Sequence, residues 1–201
     1  MQGNDISLYC DLMEEIKRRI TVIQFFSAKE NATPYKATTI ETMCLQLRKV
    51  LELIALGSLV ANKKEFSKFN DKFEKMWNAK FILRDIKRVN PDYYPRPVTE
   101  KESEDPAIKN KLEDIRSGYL TPLRFVKVYE KCGAIMHADN PFGSKVDYSY
   151  YDKNIPIWVT EIMTLLNNHN IKLVNDENMY LVHMQEARDN KVHAYTFAPV
   201  K

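Results

Sequence analysis

Between Asp5 and about Ala28, the apolar residues Met13, Ile16, Ile20, Ile23 and Phe26 recur at helical spacing, while Glu14, Glu15, Lys17, Arg18 and Arg19 fill the opposite side. That pattern predicts an amphipathic helix. After a loop around Pro34, Thr38 and Glu41 have the Thr-x-x-Glu spacing of a capping box, so a second helix is expected to start there. Its sequence, TTIETMCLQLRKVLELIALGSLVAN, is apolar on nearly every side from Val50 to Val60, which marks a central element covered by neighbours. The segment from Lys63 to Val89 continues helically through Phe66, Phe69, Phe73, Met76, Trp77, Phe81, Ile82 and Ile86, with a break near Asn78. Asn90-Pro91 ends it, because proline pushes the preceding residue out of helical geometry.

From Asn90 to Pro122 the chain is polar and carries several prolines, and it reads as a long connection around one short helix: Asp105 as cap, Pro106 at the first position, Gly118 past the end. Pro122 opens a further helix through Leu123, Val126, Val128, Tyr129, Cys132 and Ile135, which runs out near His137 before the turn-forming Asp139-Asn140-Pro141. A tyrosine-rich loop leads to a helix from about Asp152 to His169, with Pro156 in its first turn. The tail then alternates, the signal for strands. With Asp189-Asn190 as the turn, Glu186 would pair with His193, Met184 with Tyr195 and Val182 with Phe197. The expected fold class is mainly α: a helical bundle of about six helices with a C-terminal antiparallel β-hairpin packed on it. We read residues 1–201 as a single domain, with 1–170 the bundle and 171–201 the hairpin.

Composition supports this picture. A chain of 201 residues with 44% hydrophobic content can bury one sizeable core. Five glycines are too few for a many-stranded fold with tight turns or for a glycine-rich phosphate loop. No apolar run approaches the ~18 residues that span a bilayer, and the first residues lack a signal-peptide pattern. A cytoplasmic protein without membrane contact is the expectation. Cys10, Cys44 and Cys132 are widely spaced in apolar helical contexts and read as reduced core residues. A net charge of +3 does not by itself argue for nucleic acid, so any such partner must be met by a local patch.

Three constellations could carry chemistry. His137 ends a helix, where the partial negative charge of the C-terminus favours imidazolium; it reads as a general acid or base, or as a cap for the last carbonyls. Glu41, Arg48 and Glu52 share one narrow stripe of the apolar second helix, either as an ordinary solvated Glu/Arg pairing or as a polar seam that faces His137. Arg124, Lys127 and Lys131 form a basic row leading to His137, suited to phosphates or simply to solubility. The clusters Tyr93-Tyr94-Pro95-Arg96 and Tyr148 to Tyr151 could stack bases or pack onto their own domain. In the register above, His183 and His193 fall on opposite hairpin faces and cannot share a metal, so neither a metal nor a cofactor is expected.

The central LRKVLELIALGSL, followed later by a helix that ends in a histidine before NPF, resembles the HEPN helical-bundle superfamily (higher eukaryotes and prokaryotes nucleotide-binding), in particular its abortive-infection and toxin-like branch. The resemblance implies a homodimer in a toxin-antitoxin, phage-defence or stress system, and a metal-independent endoribonuclease chemistry. In active members an arginine precedes the histidine by about five to seven positions and supplies a cation for the developing phosphate charge. Here His137 matches the histidine, but the window holds Glu130, Lys131 and Cys132, so the motif is degenerate: Lys131 lacks the guanidinium fork. Arg48 and Arg124 are the alternative cations. The function expected from the resemblance is binding of RNA or a nucleotide, with ribonuclease activity weak or absent. His137, Lys131 and Arg48 are the catalytic candidates, and Glu41, Glu52, Arg124, Lys127 and Asn140 the ligand contacts. The rival is a non-catalytic dimeric interaction or scaffold protein, with a protein partner and His137 structural.

Overall fold

The computed structural model describes residues 3–29, 32–68, 76–103 and 110–199. Helix α1, Gly3–Ser27, buries Tyr9, Met13, Ile16, Ile20 and Ile23 along one face, as the 3.6-residue period requires. It packs on α2, Lys36–Ala61, whose buried residues include Leu47, Val50, Leu51, Ile54 and Ala55. The approach is close at Gly57, where a Cβ would lie 3.1 Å from both Met13 Cε and Tyr9 Cε2. The expected capping box does not form. The helix starts before Thr38, its N-cap is Tyr35 without a side-chain cap, and the Thr38 hydroxyl donates back to the Tyr35 carbonyl at 2.7 Å.

A short α3, Lys63–Phe66, follows, and α4, Ala79–Val89, opens where the break was expected, with the Asn78 side chain accepting from the Phe81 N–H. Asn90 closes α4. Phe69 and Phe73 lie outside the described residues, while Trp77 and Phe81 are exposed despite fitting the apolar period.

The main correction concerns the sheet. Strands β1 (Arg96–Glu102), β2 (Asn110–Asp114), β3 (Asn168–Ile171), β4 (Met179–His183) and β5 (His193–Phe197) form one antiparallel sheet in the order β2-β1-β3-β4-β5. The fold is therefore mixed α and β rather than a helical bundle with a hairpin. The expected short helix after Asn90 is replaced by β2 over Asn110–Asp114; its proposed cap, Asp105-Pro106, lies outside the described residues. Within β1 only Pro97 and Val98 are buried, so this two-stranded arm carries no alternation of apolar residues to reveal it.

The hairpin register is also corrected. His183 pairs with His193, Leu181 with Tyr195 and Met179 with Phe197. Asp189-Asn190 belongs to a wider connection over 184–192, held by Glu186 N–H to the Lys191 carbonyl and Asn190 N–H to the Glu186 carbonyl, with Asn190 at φ 58°. An odd shift of register exchanges the faces of a strand. Here Tyr180, Leu181 and Val182 are all buried, so β4 is covered along its centre rather than on one face.

Helix α5, Pro122–Ala134, starts as expected, with Thr121 capping and Pro122 at its first position. Helix α6, Tyr148–Leu166, begins earlier than expected because Asp147 caps it, so the four tyrosine-region residues form its first turn and Pro156 lies well inside it. His169, placed in that helix by the sequence, sits fully buried in β3. Trp158, Ile155, Phe125 and Ile162 join α5 and α6 to the same apolar cluster as α1 and α2. Among the described residues no helix is long and apolar enough to cross a membrane.

Candidate functional site

Arg48 and Glu52, one turn apart on α2, meet α5 at Tyr129. The Arg48 guanidinium lies 4.1 Å over the Tyr129 ring, donates to the Tyr129 hydroxyl at 2.8 Å and to its carbonyl at 3.4 Å, and pairs through Nε with Glu52 at 3.3 Å. The Tyr129 hydroxyl in turn donates to Glu52 at 3.2 Å. Burial pushes this phenol up and the Arg48 charge pulls against it. Gly133 makes the room: a Cβ there would stand 2.5 Å from Arg48 Nη1. Arg48 is thus a half-buried clamp between two helices, with its donors committed.

Glu41 does not join that clamp. It accepts the Tyr148 hydroxyl at 2.7 Å, and this bond pushes the Tyr148 phenol up to about 12. His137 lies just past the end of α5, exposed, and its ring makes no hydrogen bond or ion pair with the described residues. The carbonyl-capping role is therefore not adopted. Asn140 organises its own turn, with Oδ1 accepting the Phe142 N–H at 3.0 Å. Among the described residues no hydrogen bond or ion pair joins Glu41, the Arg48–Glu52 pair, Lys131 and His137 into one group.

The basic row fares differently. Arg124, Lys127 and Lys131 line an open cleft of about 390 Å³ between α5 and α6, together with Glu130, Tyr150 and Trp158. Arg124 Nε is held by Glu161 at 3.1 Å, and Glu130 is paired with Lys80 at 2.5 Å. Lys127 is exposed and has no ion pair with the described residues. Lys131 rests its ammonium 5.2 Å from the centre of the Tyr150 ring. Behind them Trp158 is buried, packs edge-on against Tyr150 and Tyr151, and leaves its Nε1 without an acceptor. None of His137, Arg48, Glu41 and Glu52 lines this cleft. It offers cations and an aromatic face, but no general base beside a nucleophile. A second cavity, of about 470 Å³, is lined by Asp5, Lys63, Lys64, Glu65 and Asp176 among others, and this mixture gives no field of one sign.

Of the other tyrosines, Tyr93 and Tyr94 are buried, Tyr94 donating to the Leu120 carbonyl, and Tyr151 donates to the Lys131 carbonyl. Only Tyr150 of the two clusters lines the cleft.

The sequence reading missed one polar cluster. His183 Nε2 lies 2.7 Å from Glu100 of β1, at ion-pair distance but without hydrogen-bond alignment, and Nδ1 lies 3.3 Å from Glu186. Tyr195 donates to Glu186 at 2.5 Å, and this bond, followed by His183, holds the Glu186 carboxyl below its usual range. The observed register sets His183 opposite His193, which corrects the expectation of opposite faces. His193 nevertheless turns to Asp189, and the two His183 carboxylates sit on different ring nitrogens. Among the described residues no group of histidine, cysteine and acidic side chains is placed to hold a metal. Cys44 and Cys132 are buried free thiols, and their mutual contact followed by burial raises the Cys44 thiol.

No family model matches the chain, and comparison with curated proteins and with solved structures likewise gives no match.

Proposed function

We propose that the protein binds single-stranded RNA through the α5–α6 cleft and does not cleave it. The observation that carries this reading is the pair of uncompensated ammonium groups, Lys127 and Lys131, beside the half-buried Tyr150 ring. Cations that track phosphates next to an aromatic stacking face are the components of sequence-tolerant single-strand binding. The HEPN resemblance of the sequence agrees with an RNA ligand in a defence or stress system. Its catalytic part finds no support in the geometry, because Arg48 is committed to Tyr129 and Glu52 while His137 has no orienting partner among the described residues.

The test is fluorescence anisotropy with a labelled single-stranded RNA over a salt series. Binding should weaken as salt rises, and the slope of log K against log salt should fall by about 0.7 for each of Lys127→Ala and Lys131→Ala. Recovered RNA should be intact. Binding that is unchanged in both variants would overturn the assignment of the cleft.

A further inference from the structure

Resting on the reading of this cleft as the ligand site, we infer that it seats one nucleotide carrying a terminal phosphate monoester, rather than an internal stretch of strand. The argument starts from uncompensated charge. Glu161 neutralises Arg124 and Lys80 neutralises Glu130, which leaves Lys127 and Lys131 as the two charges of the cleft without an ion pair among the described residues. A phosphate monoester carries roughly two negative charges at neutral pH, whereas each internal phosphodiester carries about one. Two ammonium groups converging on one point therefore match a chain end or a free nucleotide better than an internal linkage.

Geometry allows that convergence. Lys127 and Lys131 are one helical turn apart, so their Cβ atoms stand about 5–6 Å from each other, and both have long flexible stems. Among the described residues Arg124 is engaged through Nε alone, with Glu161, so its terminal nitrogens are left to donate to a sugar hydroxyl or a phosphate oxygen. The volume of about 390 Å³ is at the small end of ligand pockets, the size class of a single nucleotide.

Tyr150 supplies the base subsite. Its ring is covered on one side by the Lys131 ammonium and supported edge-on by Trp158 and Tyr151. When Lys131 moves onto a phosphate, it uncovers the ring for a base to stack. Phosphate and base recognition are thereby coupled through one lysine: the group that closes the empty aromatic face is the group the phosphate draws away.

The experiment uses the full chain with Trp77→Phe, so that Trp158 is the sole indole, and follows its fluorescence on titration with adenosine 5′-monophosphate, adenosine and inorganic phosphate. Saturable binding of the nucleotide, about tenfold or more tighter than adenosine, supports the seat. Lys127→Ala and Lys131→Ala should each weaken the nucleotide about tenfold while circular dichroism stays unchanged. Tyr150→Ala should lose the preference for nucleotide over phosphate. In competition, an RNA bearing a 5′- or 3′-terminal phosphate should displace the nucleotide better than the same RNA with hydroxyl ends. If RNA binds through Lys127 and Lys131 but is indifferent to its end groups and to the mononucleotide, the seat is wrong while the broader reading stands. If the mononucleotide binds and RNA does not, the seat stands and the RNA reading is wrong.

Discussion

The Tyr9 hydroxyl and the His169 ring meet at 2.7 Å in the interior, joining α1 to β3 across 160 residues of sequence. The other ring nitrogen, Nδ1, lies 2.8 Å from the Leu166 carbonyl. A carbonyl only accepts, so Nδ1 carries the hydrogen and Nε2 accepts from Tyr9: a neutral imidazole with both nitrogens satisfied.

This pair makes the fold sensitive to acid. Burial, with His183 adding to it, pushes His169 down to about 4, against an unfolded value near 6.5. Between those values the unfolded chain binds a proton that the native state refuses, so unfolding free energy rises with pH across that window. The contribution is fully present above pH 6.5 and is lost as pH falls towards 4, in all roughly 3 kcal/mol. Urea denaturation at pH 7.5, 5.5 and 4.5 should show the decline, and the parent minus His169→Gln difference should isolate it. A difference independent of pH would remove the neutral histidine from the account.

Tyr9→Phe tests the same contact from the other side. It deletes one hydroxyl and leaves a buried Nε2 acceptor without its donor, at a cost of about 1–3 kcal/mol. A thermal midpoint equal to that of the parent would show that the bond contributes nothing net.

The Arg48 clamp predicts a stability phenotype without a binding phenotype. Tyr129→Phe keeps the ring under the guanidinium but removes the hydroxyl shared by Arg48 and Glu52, for a loss of about 1–2 kcal/mol. Gly133→Ala crowds Arg48 Nη1 and should destabilise through the same contacts, so the double variant should cost less than the sum of the two. RNA affinity of the folded protein should be unchanged in both, and a specific loss of affinity would return Arg48 to the ligand site.

His137→Ala should change neither the thermal midpoint nor RNA affinity, because the ring is exposed, bonds to no described residue and stands outside the cleft. Loss of RNA binding in this variant at unchanged stability would restore the histidine to the site.

The helices were legible because an amphipathic period is written in one stretch of chain, and the start of α5 because Pro122 suits a first helical position. Strands β1 and β2 left no such trace, since an arm with both faces largely wet needs no apolar alternation. The β4–β5 register depends on contacts far away in sequence: Glu14 of α1 accepts the Val192 N–H at 2.6 Å, and Lys17 donates to the Asn190 carbonyl at 2.5 Å. At the candidate site the row of Arg124, Lys127 and Lys131 could be read directly. Tyr150 and Trp158 joined it only once Asp147 was seen to start α6 early. For Arg48 and Glu52 the missing piece was Tyr129, which looks from its spacing like any other core aromatic.

The contact of His183 with Glu100 yields the last prediction. The β1–β2 arm joins the sheet through β3, where the ladder pairs only Arg96 with Asn170 and Pro97 with His169. Beyond Val98 the arm's described ladder is with β2 alone, and Glu100 reaches back at 2.7 Å to His183 of β4. The imidazole thus ties the arm to the hairpin. Glu100→Gln keeps the shape of the side chain and removes its charge, so at a pH where the His183 ring is protonated the arm should open more often while the core stays closed. Hydrogen exchange should quicken about tenfold for the amides of Thr99–Glu102 and Lys111–Glu113, with the α1 and α2 amides unaffected. Uniform exchange rates in variant and parent would mean that the arm is held by its backbone ladder alone.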